Sequence, residues 1–224
     1  MSLRVGVVQF PGTNCELDVI WAIEQLGADA ELCWHADATV NGVDAVVVPG
    51  GFAHGDYLRT GALARFSPVM AAVGEFAAAG GPVVGICNGF QVLTEAQLLP
   101  GALQKNAGLK FLCETVELRV ETTTTALTNA CEIGARLRIP INHFEGNYVC
   151  DPATLDALRA DDRVVVRYVD NPNGSLDDIA GICNAGRNVV GLMPHPERAS
   201  DPLLGSADGL ALLQSLLAAA RVTA

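Results

Sequence analysis

Half of the 224 residues are hydrophobic and only 17% are charged, with a mean hydropathy of +0.31. That balance excludes an intrinsically disordered chain, and the length suffices for a substantial core. Fourteen Lys and Arg against 25 Asp and Glu leave a net charge of −11, which repels phosphate backbones and argues against nucleic acid as a partner.

In chain order, residues 5–10 form a short apolar run that reads as a buried first strand rather than a signal peptide, and Pro11-Gly12 ends it. Thr13 or Asn14 can cap a helix marked by Leu17, Ile20, Trp21 and Leu26 and stopped by Gly27. Residues 31–34 and 45–48 read as strands. Residues 62–79 are helix-rich with a break near Ser67-Pro68, residues 82–86 are a fourth strand, and a helix is expected over 88–97. Near-continuous apolar strands alternating with helices predict a parallel sheet covered on both faces. Beyond Gly101 the texture changes. Residues 111–120 alternate, 122–125 are β-branched, 137–141 form another short run, and 179–184 with 188–193 read as a hairpin around Ala185-Gly186-Arg187. A Leu/Ala-rich helix over 207–220 closes the chain. The expected fold is α/β: an open, mostly parallel sheet with helices on both faces, plus antiparallel strands from the C-terminal half, in a single domain over residues 1–224. No apolar run approaches the roughly 18–20 residues of a membrane span. Seven cysteines, odd in number and without a Cys-x-x-Cys pair, exclude a zinc ribbon or thioredoxin-type site and argue against a disulfide framework. A soluble protein of a reducing cytosol, with no metal, is the expectation.

The sharpest feature is Gly85-Ile86-Cys87-Asn88-Gly89-Phe90-Gln91, a Gly-x-Cys-x-Gly pattern at a strand-to-helix junction. It is the thiol counterpart of the Gly-x-Ser-x-Gly nucleophile elbow, with glycines that leave room beside a strained nucleophile. A helix N-terminus there favours a thiolate and offers N–H groups to an oxyanion; a buried core cysteine is the plainer alternative. A thiolate needs a base, and among the four histidines His195 stands in Met193-Pro194-His195-Pro196-Glu197-Arg198. The prolines favour an extended chain, in which residues i and i+2 point the same way and Glu197 can orient His195. By itself this segment would read as a surface turn; beside Cys87 it completes a triad. In Pro49-Gly50-Gly51-Phe52-Ala53-His54-Gly55-Asp56, two glycines at a strand end can present N–H groups to an anion. Gly51, or a neighbour, and Asn88 are the candidate oxyanion donors. His54 reads as a loop or substrate-shaping residue, and Cys15 as structural.

Together with Phe10-Pro11-Gly12-Thr13-Asn14-Cys15 and Asn142-His143-Phe144-Glu145-Gly146, these segments resemble class I, triad-type, glutamine amidotransferases. Within that class the chain is similar to the glutaminase subunits of phosphoribosylformylglycinamidine synthases, with the motifs in the family's order along nearly the whole chain. The resemblance implies a Cys87, His195, Glu197 triad that hydrolyses glutamine to glutamate and ammonia. It also implies a glutamine pocket drawn from Gly50, Phe52, Gln91, His143 and Phe144. Phe144 departs from the family pattern, which has a small residue there. The implied partners are a large synthetase subunit, which receives the ammonia and makes formylglycinamidine ribonucleotide for purine biosynthesis with ATP and Mg, and, as an open alternative, a small third subunit. No Gly-x-x-x-x-Gly-Lys loop is present, so the ATP chemistry is assigned to another chain. Competing readings are a glutaminase subunit of another amidotransferase, a cysteine hydrolase on the same scaffold, and a non-catalytic module. The Pro-His-Pro-Glu segment argues against the hydrolase, and the intact Cys87, His195 and Glu197 argue against the non-catalytic module.

Overall fold

A computed structural model describes residues 2–40 and 42–223; Met1, Asn41 and Ala224 lie outside the described residues. The chain runs β1 (Arg4–Gln9), α1 (Glu16–Gln25), β2 (Asp29–Trp34), β3 (Ala45–Val48), α2 (Pro68–Ala78), β4 (Val83–Ile86) and α3 (Asn88–Glu95). There follow β5 (Ala102–Gln104), β6 (Leu112–Val120), β7 (Arg136–His143), β8 (Asn147–Val149), α4 (Pro152–Ala160), β9 (Val164–Tyr168), β10 (Ile179–Cys183), β11 (Val189–Leu192) and α5 (Gly209–Thr223). Nine strands form one sheet in the order β2-β1-β3-β4-β11-β10-β9-β6-β7, and β5 pairs with β8 beside it.

The strands β2, β1, β3, β4 and β11 are mutually parallel, and β10, β9, β6 and β7 continue the sheet antiparallel. The mixed sheet expected from the sequence is therefore present. Every residue of β3, β4 and β11 is buried, because helices cover both faces there, whereas β7 alternates buried and accessible positions for most of its length. Helix α1 buries Val19, Ala22 and Ile23, while the expected markers Leu17 and Trp21 lie on its outer face. Neither expected residue caps it: Cys15 takes the cap position without a side-chain bond, and Thr13 Oγ1 instead accepts from the Phe10 amide at 2.9 Å. The expected break at Ser67-Pro68 is where a 3₁₀ turn ends and α2 begins, with Pro68 at its first position. The β-branched run at 122–125 forms no strand. Its hydroxyls bond locally, Thr122 to Thr124 and Thr125 to Thr128, and turn the chain instead.

The packing of α3 is fixed by two glycines. A Cβ on Gly89 would meet the Val48 carbonyl oxygen at 1.8 Å, and one on Gly85 would meet Leu93 Cδ1 at 2.6 Å. Only glycine lets α3 lie this close to β3 and β4. We expect Gly89→Ala to force α3 off the sheet and to destabilise by about 1–3 kcal/mol or more. By contrast Gly74→Ala, inside α2 with no atom near its missing Cβ, should be neutral or stabilise by about 0.5–1 kcal/mol. Urea denaturation midpoints of the two variants check the contrast.

Candidate active site

Cys87 sits between β4 and α3 with φ 52° and ψ −107°, a conformation that side chains rarely adopt. The strain of the turn thus falls on the cysteine itself, while Gly85 and Gly89 supply the space around it. Its amide donates to the Leu192 carbonyl at 2.8 Å and its buried thiol to the Asn142 carbonyl at 3.6 Å. Because Ile86 pairs with Leu192 in register, the chain leaving β11 emerges beside the elbow and carries His195 with it.

The His195 amide donates to the Pro140 carbonyl at 2.9 Å, which anchors the segment to β7. Pro196 then opens a 3₁₀ turn, Pro196–Ala199. Glu197 reaches the imidazole through that turn rather than through extended alternation: His195 Nδ1–H donates to Glu197 Oε1 at 2.6 Å. Both side chains are buried, and His195 Nε2 and Glu197 Oε2 have no hydrogen-bond partner. Burial opposes charge on the imidazole, but Glu197, with Cys87 and Cys15 beside it, outweighs burial and raises the His195 pKa well above its ordinary value.

Two residues read from the sequence in other roles support this group. A Cβ on Gly50 would lie 2.7 Å from His195 Cε1 and 3.1 Å from Cys15 Sγ, so Gly50 packs behind the imidazole instead of lining the cavity described below. Cys15 is not remote: its Sγ, a ring nitrogen of His195 and an oxygen of Glu197 lie within 4.8 Å of one another. Donor types of this kind can ligate a metal. Here, however, Nδ1 and Oε1 already share a proton, and Arg198 Nη2 donates to Cys15 Sγ at 3.2 Å, so both the imidazole and the thiol are engaged.

The Cys87 thiol opens into a cavity of about 360 Å³, also lined by Gly51, Phe52, Gln91, His143 and Phe144. The segment 10–15 explains its neighbour at 49–52. Asn14 and Cys15 amides donate to the Gly50 carbonyl, the Phe52 amide donates to the Gly12 carbonyl, and Gly51, at φ 144°, bridges Thr13. Asn88 opens α3, where first-turn amides lack intrahelical acceptors. Its side chain does more than sequence reading assigned: Oδ1 accepts from the Ala53 amide at 3.0 Å, and Nδ2 donates to Gln91 Oε1 at 2.8 Å and to Asp56 Oδ1 at 3.3 Å. Gln91 Nε2 donates to the Glu145 carbonyl. His54 does not line the cavity; it contacts His35, Phe10 and Ser67 behind the loop. Asp56, Lys105, Asn142 and Glu145 line the cavity and were missed as site residues. Asp56, Asn142 and Glu145 lay inside motifs already recognised, whereas Lys105 lay in none.

Residues 2–208 match the model of the CobB/CobQ-like glutamine amidotransferase domain. The chain belongs to this glutamine amidotransferase family. The phosphoribosylformylglycinamidine synthase subunit PurQ of Rubrobacter xylanophilus is 60% identical over 220 residues, 98% of this chain and 100% of the relative. The PurQ subunit of Koribacter versatilis is 53% identical, over 97% of this chain and 98% of its own length. A chain of the PurLQS structure from Thermotoga maritima superposes with a TM-score of 0.90 at 42% identity, covering 97% of this amidotransferase and 99% of that chain. The glutaminase domain of Trypanosoma brucei CTPS, at 14% identity and a TM-score of 0.64, shares the fold, that of class I glutamine amidotransferases. No helix among the described residues is long and apolar enough to cross a membrane.

His143 gives this amidotransferase a distinct pH signature. Burial first, and His195 second, push its imidazole down to about 4 from the ordinary 6.5, and Nδ1–H donates to Asn106 Oδ1 at 3.1 Å. As pH falls the unfolded chain takes this proton first, so stability present above about pH 6.5 is lost progressively toward pH 4. Urea unfolding should therefore show a smaller loss of stability for His143→Asn than for the wild type between about pH 7 and pH 5. Equal losses would mean that His143 is not held neutral.

Proposed function

We propose that the chain is the glutaminase subunit of phosphoribosylformylglycinamidine synthase, a cytoplasmic enzyme of purine biosynthesis that works with PurL and PurS subunits. Near-full-length identity to PurQ subunits and the likeness to a chain of PurLQS support the subunit assignment. One observation carries the chemistry: an imidazole fixed at Nδ1 by a buried carboxylate 2.6 Å away, with Nε2 left bare beside a strained cysteine. The seven free thiols suit a reducing cytoplasm.

In the reaction, Cys87 Sγ attacks the side-chain amide carbon of glutamine while His195 Nε2 takes the thiol proton. Glu197 holds the tautomer and stabilises the imidazolium. Amides of Gly51 and Asn88 face the oxygen that becomes negative. The C–N bond breaks as His195 returns the proton to the leaving nitrogen, giving ammonia and a glutamyl thioester. Water, deprotonated by His195, then releases glutamate and restores the thiol. The ammonia is consumed by the PurL subunit, to which the use of ATP and Mg is assigned. Phe144 and Cys87 line the same cavity.

The test separates ammonia production from its use. In the assembled complex, Cys87→Ala should lower glutamine-dependent amidine synthesis by about 10⁴-fold or more while ammonium salts still drive it. His195→Ala should behave likewise, and Glu197→Ala should retain more activity. Loss of ammonium-driven synthesis in a Cys87→Ala complex that still assembles would overturn this division of labour. The loop 52–59, with positive φ at His54, Asp56 and Leu58, is the element that a partner would reorder. Glutamine turnover by this chain should accordingly rise on adding PurL and PurS; unchanged turnover would show that the loop is not coupled to the partner.

A further inference from the structure

We propose that Cys15 is a positioning residue for glutamine hydrolysis: its sulfur, held in place by Arg198, backs His195 from outside the cavity and supports the ring while it carries the proton of Cys87. The inference rests on the glutaminase reading and adds to the triad a second thiol that does not line the cavity.

The ordinary uses of a buried cysteine do not account for this one. Cys15 stands just before α1, where Ser, Thr, Asn or Asp would accept from a first-turn amide, yet its side chain caps nothing. Its thiol is free, so no disulfide explains it. Both ends of the residue are fixed instead. The amide donates to the Gly50 carbonyl at 3.2 Å, and the sulfur accepts from Arg198 Nη2 at 3.2 Å. Arg198 is anchored in turn, with Nε donating to Asp18 Oδ2 at 3.2 Å. The sulfur is thus held as an acceptor between α1 and the 3₁₀ turn that carries Glu197.

That place is beside the base. Sγ, a ring nitrogen of His195 and an oxygen of Glu197 lie within 4.8 Å of one another, and all three residues are buried. The titratable and charged groups around the ring are Glu197 on its own turn, Cys87 at the elbow, Cys15 before α1 and His143 on β7, with Arg198 and Asp18 behind Cys15. Glu197, Cys87 and Cys15 favour the protonated ring, against burial. Glu197 and Cys87 have their parts in the reaction, and Cys15 is the member left without one. When Cys87 gives its proton to Nε2, the ring becomes cationic in a buried position. A polarisable, electron-rich sulfur close by lowers the cost of that charge.

The experiment follows ammonia release from glutamine across pH by the complex with PurL and PurS, for wild type, Cys15→Ala and Cys15→Ser, with co-elution of the subunits confirming assembly. A positioned base contributes about 10²–10⁴-fold, and Cys15→Ala should forfeit part of it: kcat should fall about tenfold, with KM for glutamine within about twofold of wild type. The acid limb of its kcat/KM profile should move to lower pH, because a group that favours the protonated ring is gone. Cys15→Ser, whose hydroxyl can still accept from Arg198, should recover most of the kcat and return the limb toward its wild-type position. A role in packing alone predicts the opposite order, since a hydroxyl is costlier to bury than a methyl group. Cys15→Val, which fills the space without accepting, should match Cys15→Ala and takes its place if that variant does not assemble. A wild-type kcat and acid limb without the sulfur, or Cys15→Ser no better than Cys15→Ala, would overturn the proposal. Failure of the glutaminase reading looks different: wild-type complex would then release no ammonia from glutamine at all.

Discussion

Where α3 crosses the end of β3, the Gly89 Cα passes the Val48 carbonyl with no room for a methyl group. That contact sets how far α3 sinks toward the sheet, and the depth sets everything at its N-terminus. Cys87 is forced into a left-handed conformation because strand and helix meet too sharply for an ordinary turn. Asn88 arrives deep enough to grip the Ala53 amide, and Gln91, one turn on, reaches the carbonyl of Glu145. Nucleophile, loop and pocket wall are referenced to one close approach of backbone to backbone.

The electrostatics of the site follow from burial as much as from sequence. In a chain with a net charge of −11, most acids are spread over solvent-facing positions, where screening makes them nearly inert. Glu197 is fully buried. Enclosed with His195 and bonded to it at 2.6 Å, it raises the imidazole's pKa well above the ordinary value. His143, packed a short distance away and without a carboxylate, goes the opposite way and stays neutral. The pKa values of two histidines near the nucleophile are thus pushed in opposite directions, one up by an adjacent acid and the other down by burial.

Much of this was legible in the sequence. The Gly-x-Cys-x-Gly and Pro-His-Pro-Glu patterns mark places where backbone geometry demands particular residues, and the parallel strands at 45–48 and 83–86 are too apolar to be anything else. The C-terminal half was harder. β9, Val164-Val165-Val166-Arg167-Tyr168, was passed over although its β-branched run is plain, and α4 was missed despite Asp151 capping at Thr154 and Pro152 at the first position. The threonines at 122–125 misled because β-branching favours strands while a hydroxyl can equally satisfy a turn. Glu197 came to His195 by a 3₁₀ turn, a route that reading alternation alone does not contain. Asp56 and Glu145 went unassigned because an acid in a loop carries no spacing rule; only the folded chain brings both to one cavity.

The position of β11 has a consequence for how the chain is made. It occupies the middle of the sheet, pairing parallel with β4 on one side and antiparallel with β10 on the other, yet it is the last strand to be synthesised. Until residues 189–192 are inserted, the sheet has a slot at its centre and the elbow has no Leu192 carbonyl to hold it. The base follows on the same segment, more than a hundred positions after the nucleophile. A nascent or truncated chain therefore displays a cysteine without a partner and cannot waste glutamine. The late, long-range closure that slows folding of such topologies also acts as a check that only completed molecules become active.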